Sequence, residues 1–168
     1  MSKYISTKLE GLELRIAEEK DITLILSFIK ELAEYEKMLN EVVATEEILR
    51  GSLFVRKAAE VIIAEYNGIP VGFALFFHNF STFLGKPGLY LEDLYVRPQM
   101  RGKGIGKILL TYLAKLAVER DCGRFEWWCL DWNETSINFY KKIGAIPMDE
   151  WTTYRVHNEA LINLANEF

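Results

Sequence analysis

Apolar and polar positions along this chain follow two periods, and the points where the period changes mark the elements. Residues 12–17 alternate as a short strand, after which Asp21 can cap a helix whose Ile22, Ile25, Ile29, Leu32 and Ala33 recur at helical spacing, ending near Lys37. Thr45 before Glu46 and Glu47 opens a second, shorter helix. Residues 58–66 and 70–78 are β-rich runs joined through Asn67-Gly68, a dipeptide at ease with positive φ, so they predict a tight hairpin. Residues 79–88, with Gly85, Pro87 and Gly88, read as a loop. Residues 89–96 read as another strand, closed by Pro98.

Residues 104–119 put Ile105, Leu109, Leu113, Leu116 and Ala117 on one helical face, which Leu110, Ala114 and Val118 widen into a largely buried helix. Gly123 ends that segment. Residues 125–130 predict a strand, Asn133 can cap a short helix that runs to Ile143 and stops at Gly144, and residues 151–156 predict a final strand before a peripheral tail. With no internal repeat, low-complexity segment or linker-like stretch, residues 1–168 read as one α/β domain.

Composition changes this picture mainly by exclusion. A chain of 168 residues that is 50% hydrophobic and 26% charged can bury a core without disulfides or metal. Residues 1–11 hold no apolar segment before a cleavage site, and the longest apolar stretch, residues 71–77, is far too short to span a bilayer, so a cytoplasmic protein is expected. Cys122 and Cys129 match neither a zinc nor a redox spacing, and His78 and His157 stand apart from them, so no metal is expected. A net charge of -4 offers no basic field to nucleic acid, whereas a cationic substrate would be attracted.

The chemistry concentrates where the strand of residues 89–96 runs through Arg97-Pro98-Gln99-Met100 into Arg101-Gly102-Lys103-Gly104-Ile105-Gly106 and then into the buried helix. A glycine-rich turn entering a helix exposes unpaired N–H groups and the positive end of the helix dipole, which together suit a pyrophosphate. Arg101 and Lys103 add positive charge. A dinucleotide fingerprint fails because the third glycine is misplaced and the motif sits in mid-chain. A Walker loop fails because Gly106-Lys107 comes one position early and Ile108 replaces the hydroxyl residue that would hold magnesium. Close packing of helix on strand would explain the glycines, but it would not require Arg101.

Arg101-x-x-Gly104-x-Gly106 resembles the acetyl-CoA loop of the GNAT acetyltransferases. Further likeness to the diamine (spermidine/spermine) and thialysine branch of that family runs through residues 29–36, residues 89–96 and the Trp132-Asn133-Glu134-Thr135-Ser136-Ile137-Asn138-Phe139-Tyr140 segment. The resemblance implies a mixed, mostly antiparallel central sheet, splayed in the middle and flanked by helices, opening after the strand that ends at Val96. It implies acetyl-CoA as co-substrate, with the backbone of Leu94, Tyr95 and Val96 on pantetheine and thioester. Arg101, Gly102, Lys103, Gly104, Ile105, Gly106 and Lys107 would hold the pyrophosphate, and Asn133 and Ser136 would flank the arm. It also implies a homodimer, and the aromatic loop of residues 80–84 offers apolar surface that a partner copy would cover.

Under the same resemblance Tyr140 is the general acid, on the helix face it shares with Asn133. A phenol near pKa 10 can protonate a thiolate whose thiol lies near 8.5. The bland alternative for Tyr140 is a packing role. Glu92 resembles the carboxylate that takes the amine proton, and strict alternation would place it on the face of Val96, with Asp93 opposite. Tyr35, Glu36, Asp93, Trp128 and Glu150 are the expected acceptor contacts, with Trp127 and Asp149 as alternates. Trp127 and Trp128 face opposite sides, so one lines the site. Glu31, Glu34, Glu46 and Glu47 read as solvated helix faces. Met100, where this branch has tyrosine, and the short acidic segment after Gly144 depart from the pattern and bear on which amine is used. The expected reaction is acetyl transfer to a primary amine of a small molecule, a diamine, polyamine or thialysine-like amino acid. A protein or peptide acetyltransferase and a non-catalytic acetyl-CoA sensor are the competing readings.

Overall fold

Asn67 and Gly68 both adopt positive φ, +51° and +76°, and turn β3 (Glu60–Tyr66) sharply into β4 (Ile69–Ser81). The structure, a computed structural model, describes residues 4–168. With β1 (Tyr4–Ser6), β2 (Leu12–Ile16), β5 (Lys86–Val96) and β6 (Arg124–Trp127), the strands form one six-stranded sheet in sequence order. All neighbours are antiparallel except β5 and β6, which run parallel and are joined across α3 (Ile105–Glu119).

Helices cover the two faces. On one, Ile22, Ile25 and Phe28 of α1 (Ile22–Tyr35), Leu49 of α2 (Glu46–Leu49) and Leu53 of the π-helical turn that continues it pack on Val61, Ile63, Phe73 and Tyr95. Phe28 stacks on Phe73 with ring centres 5.3 Å apart. Truncating a ring so enclosed costs about 3–5 kcal/mol. On the opposite face α3 buries Ile105, Leu109, Leu110, Leu113 and Ala117, and Gly106 lies against Leu94 and Val96. The buried stripe is narrower than the sequence predicts, because Ala114 and Val118 turn to solvent.

Asp21 precedes α1 but does not cap it with a side-chain hydrogen bond. Its carboxylate instead takes both terminal nitrogens of Arg15, at 2.7 and 2.9 Å, while Arg15 Nε donates to Glu65 at 2.7 Å. All three residues are buried. This ion network pins the start of α1 to β2 and β3. Thr45 does cap α2, its hydroxyl accepting from the Ile48 N–H at 3.2 Å.

Three further expectations are corrected. Residues 79–88 are not a loop: β4 and β5 stay paired from His78↔Leu89 to Ser81↔Lys86, leaving a short turn at residues 82–85. Cross-strand pairing outweighs the glycine and proline signals there, since Pro87 and Gly88 sit within β5. β6 ends at Trp127, short of Leu130. Residues 151–156 form no strand, and an alternating pattern without a neighbouring strand to pair with has no hydrogen bonds to hold it extended.

Contacts divide the chain into two units, Met1–Trp128 and Cys129–Phe168. The first holds the sheet with α1 to α3. The second holds α4 (Glu134–Lys142), closed by Gly144 at φ +89°, and α5 (Asn158–Ala165).

Candidate active site

β5 is longer than β6. The parallel pairing runs from Gly88↔Arg124 to Leu91↔Trp127 and stops, whereas pairing with β4 continues to Val96. Residues 92–96 are therefore bonded within the sheet on the β4 side alone. This is the opening that the resemblance implies, although it begins before Val96, at the end of β6.

At the mouth of that opening the strand carries an extra residue. Leu91 pairs with Phe76 and Asp93 with Leu75, so two consecutive positions of β4 face three of β5 and Glu92 is left as a bulge. The alternation argument fails for Glu92 but holds for Asp93, which lies opposite Val96. Leu91 and Leu94, three apart, both face α3, and Asp93 shares the α1 face with Leu75 and Tyr95. Burial, with Glu92 and Glu36 close by, pushes the Asp93 carboxyl up to about 6. Burial likewise raises Glu36, the residue that ends α1. Among the described residues no lysine or arginine forms an ion pair with Glu36, Glu92 or Asp93. Among the described residues the bulge thus gathers carboxylates that no ion pair engages.

The register also resolves the two tryptophans. Phe125 and Trp127 pair with Leu89 and Leu91 on the α3 side, and their rings lie 5.0 Å apart. Trp128 turns the other way and meets Tyr90 edge-on at 6.1 Å, so it lies on the face of the carboxylates. Tyr90 in turn packs on Phe77 at 5.1 Å.

After Val96 the chain makes a 3-10 turn, Pro98–Met100, and enters α3 through Gly102 and Gly104 at φ +79° and +82°. These values exclude most side chains. A Cβ at either glycine would meet nothing within 4 Å, so the space over the loop is open. The first amides of α3 have no preceding carbonyl within the helix to bond, leaving them available to an anion. Those features fit the pyrophosphate role read from the sequence.

Arg101 is placed differently from a free phosphate ligand. Its Nε donates to the Val96 carbonyl at 2.9 Å, and its guanidinium lies 4.6 Å from the centre of the Tyr35 ring and 5.6 Å from that of Tyr95. Lys103 lies 5.9 Å from the Tyr66 ring. Glu31, read as solvated, instead grips Arg97 through two bonds of 2.9 and 3.1 Å, and Arg97 also donates to the Pro70 carbonyl. Sequence reading missed this clamp because glutamates on a polar helix face look alike until one meets a strand-end arginine.

In the second unit the Asn133 side chain accepts from the Ser136 N–H at 3.2 Å, an ordinary helix cap. Tyr140 lies on α4 beside Phe139, ring centres 5.7 Å apart. Burial chiefly raises its phenol, as does Cys129, against a hydrogen bond with Ser136. Glu150 is exposed. Among the described residues no group of three or more His, Cys, Asp or Glu could hold a metal ion, and no helix is long and apolar enough to cross a membrane.

Residues 25–145 match the Acetyltransferase (GNAT) family. The chain is 37% identical over 164 residues to a thialysine N-epsilon-acetyltransferase of Mus musculus, covering 90% of this chain and 96% of the relative. It is 32% identical over 194 residues to an L-ornithine N5-acetyltransferase of Arabidopsis thaliana, covering 88% and 85%. A crystal structure from Clostridium acetobutylicum, described as an acetyltransferase with acetyl-CoA, superposes with a TM-score of 0.72 at 25% identity, over 86% of this chain and 96% of that one. Open strand, glycine loop and family match agree: this chain belongs to the GNAT acetyltransferase family.

Proposed function

We propose that this enzyme, as a single acetyltransferase domain, moves the acetyl group of acetyl-CoA to a primary amine of a small molecule, a diamine, polyamine or thialysine-like amino acid. The observation that carries this reading is the one-sided edge of β5, which leads from the carboxylates at the bulge directly to the glycine loop. The edge of β5 at Leu94, Tyr95 and Val96, apart from the Val96 carbonyl that Arg101 holds, offers backbone groups to the pantetheine amides. The loop from Arg101 to Lys107 offers N–H groups to the pyrophosphate, and Asn133 and Ser136 are assigned to flank the arm.

Glu36, Glu92 and Asp93 attract the ammonium form of the acceptor, and Tyr35, Trp128 and Glu150 complete the assigned contacts. Glu92, which is exposed at the bulge, takes the ammonium proton through a water molecule. The free amine attacks the thioester carbonyl, the tetrahedral adduct collapses, and the C–S bond breaks. Tyr140 gives its phenolic proton to the departing thiolate, the adduct nitrogen surrenders its surplus proton to restore the phenol, and the neutral amide and the thiol are released. Burial of the phenol keeps it protonated and ready to donate.

Thiol release measured over a panel of small amines, peptides and buffer alone tests this reading. Turnover with small amines supports it. Turnover with peptides alone favours a protein acetyltransferase, and acetyl-CoA binding without any turnover favours a sensor. A cytoplasmic homodimer completes the proposal, supported by the exposed Phe80, Phe83 and Leu84 at the tip of the β4–β5 hairpin.

A further inference from the structure

α1 and β5 meet along two matching rows of side chains. Asp93, Tyr95 and Arg97 alternate onto the α1 face of the sheet, and Phe28, Glu31 and Tyr35, three and four residues apart, share one stripe of the helix. The Arg97 guanidinium lies 4.9 Å from the centre of the Phe28 ring, and Tyr95 tilts against the same ring at 6.3 Å. Glu31 reaches both. It accepts from Arg97 Nε and Nη2 at 3.1 and 2.9 Å and from the Tyr95 phenol, and the Ser27 hydroxyl, one turn earlier, donates to it at 3.0 Å. The helix therefore runs along β5 from Arg97 toward Asp93, against the direction of the strand.

Apolar packing alone would let that helix slide, because the burial of Ile22, Ile25 and Phe28 is favourable but has no direction. A fork between a guanidinium and a carboxylate does have direction. All three nitrogens of Arg97 are committed, two to Glu31 and the third, Nη1, to the Pro70 carbonyl at 3.1 Å, while its backbone N–H donates to the Val71 carbonyl at 2.9 Å. The arginine is thus fixed to the sheet as it grips the helix, and it holds the Glu31 carboxyl below the usual range against the cost of burial. From Glu31 to Glu36 the helix rises ~7.5 Å at ~1.5 Å per residue, and from Tyr95 back to Asp93 the strand covers ~7 Å at ~3.3 Å per residue. The two steps match. The fork at one end therefore sets what meets at the other, where the charge of Glu36 acts on Asp93. A slip of one helical turn, ~5.4 Å, would separate them.

Resting on the acetyltransferase reading above, we infer that Glu31 and Arg97 are positioning residues for the acceptor amine: their fork fixes the register of α1 on β5 and so holds Glu36 at the spacing from Asp93 that receives an ammonium. Both act through Glu36 rather than on the amine itself. Glu92 and the edge of β5 belong to the sheet and keep their places when the helix shifts, so the fork governs amine binding and leaves the chemical step alone.

The test measures kcat and KM for putrescine, ornithine and thialysine by thiol release in the parent, Glu31→Gln, Arg97→Lys, Glu36→Gln and the double variant Glu31→Gln/Glu36→Gln. Acetyl-CoA protection against thermal unfolding is the control for an intact fold. Glu31→Gln should raise the amine KM about tenfold and leave kcat within about twofold of the parent. Arg97→Lys, which keeps the charge but loses the fork, should do the same. In the Glu36→Gln background Glu31→Gln should add nothing, because it acts through the carboxylate already removed. An amine KM that Glu31→Gln does not move, an Arg97→Lys that behaves as the parent, losses that add in the double variant, or loss of acetyl-CoA protection in Glu31→Gln overturns this inference and leaves the acetyltransferase reading standing. A parent that releases no thiol with any of the three amines overturns both.

Discussion

The guanidinium of Arg101 lies over the ring of Tyr35, 4.6 Å from its centre, while its Nε holds the last carbonyl of β5. One side chain therefore ties the glycine loop to the end of α1, where Glu36 begins the acidic cluster. Arg101→Ala should weaken acetyl-CoA binding about tenfold and Tyr35→Leu about threefold, each reflecting a loop held less firmly. In calorimetric titration the double variant should be no weaker than Arg101→Ala, because both changes break the same contact. Additive losses would show that Arg101 and Tyr35 act independently.

For Tyr140→Phe, turnover should fall by about 10² to 10⁴ with little change in acetyl-CoA affinity, as expected of a proton donor that acts mainly in the transition state. A packing role predicts instead a loss of about 1 kcal/mol in stability with turnover intact. Pre-steady-state thiol release separates the two even where product release is slow.

Asp93 makes the fold pH-sensitive in a direction opposite to most carboxylates. Its folded value, about 6, stands above the ordinary 3.8, so folding is favoured while the group is protonated and loses that advantage as pH rises from about 4 through 6. Asp93→Asn should accordingly be more stable than the parent by up to ~3 kcal/mol at pH 7.5, with the difference vanishing near pH 4. Urea denaturation at four pH values measures it. A variant less stable than the parent at pH 7.5 would contradict the assignment. Amine turnover by the same variant should drop.

The opposite sign holds at Asp21. Burial works to raise its carboxyl, but Arg15 and the Glu18 N–H outweigh it and hold it below the usual range. The network therefore stabilises the protein above pH 4 and loses that contribution as acid protonates Asp21. Arg15→Ala, which leaves Asp21 and Glu65 buried without their cation, should cost about 3–5 kcal/mol in a urea titration at neutral pH.

Sedimentation of the parent should give a species of twice 19.5 kDa at micromolar concentration. Phe83, 98% exposed at the hairpin tip, is the residue whose change to Ser should shift that species toward monomer. A monomeric parent would refute the dimer.

Elements with a local cause were legible in the sequence. Asn67-Gly68 announces its turn, the spacing of Ile22, Ile25 and Ile29 announces α1, and Arg101-x-x-Gly104-x-Gly106 announces the loop and its helix. What the sequence concealed depends on partners distant along the chain. The β4–β5 ladder overrode Pro87 and Gly88, Glu31 found Arg97 across 66 positions, and Asp21 abandoned its cap for Arg15. The bulge was hidden most completely, because one unpaired residue leaves no mark on composition or periodicity. With it went the placement of Glu92, whereas Asp93 does lie opposite Val96, as alternation predicts.

Glu92 has one more consequence, which concerns how such a chain can vary. A protein lacking only this residue would pair Leu91, Asp93 and Leu94 with Phe76, Leu75 and Ala74 in unbroken register, each side chain on the face it occupies now. The core would not notice the shorter strand. Glu92 is in effect an insertion into a sheet already complete without it, so descent could add, remove or replace that carboxylate without repacking either layer.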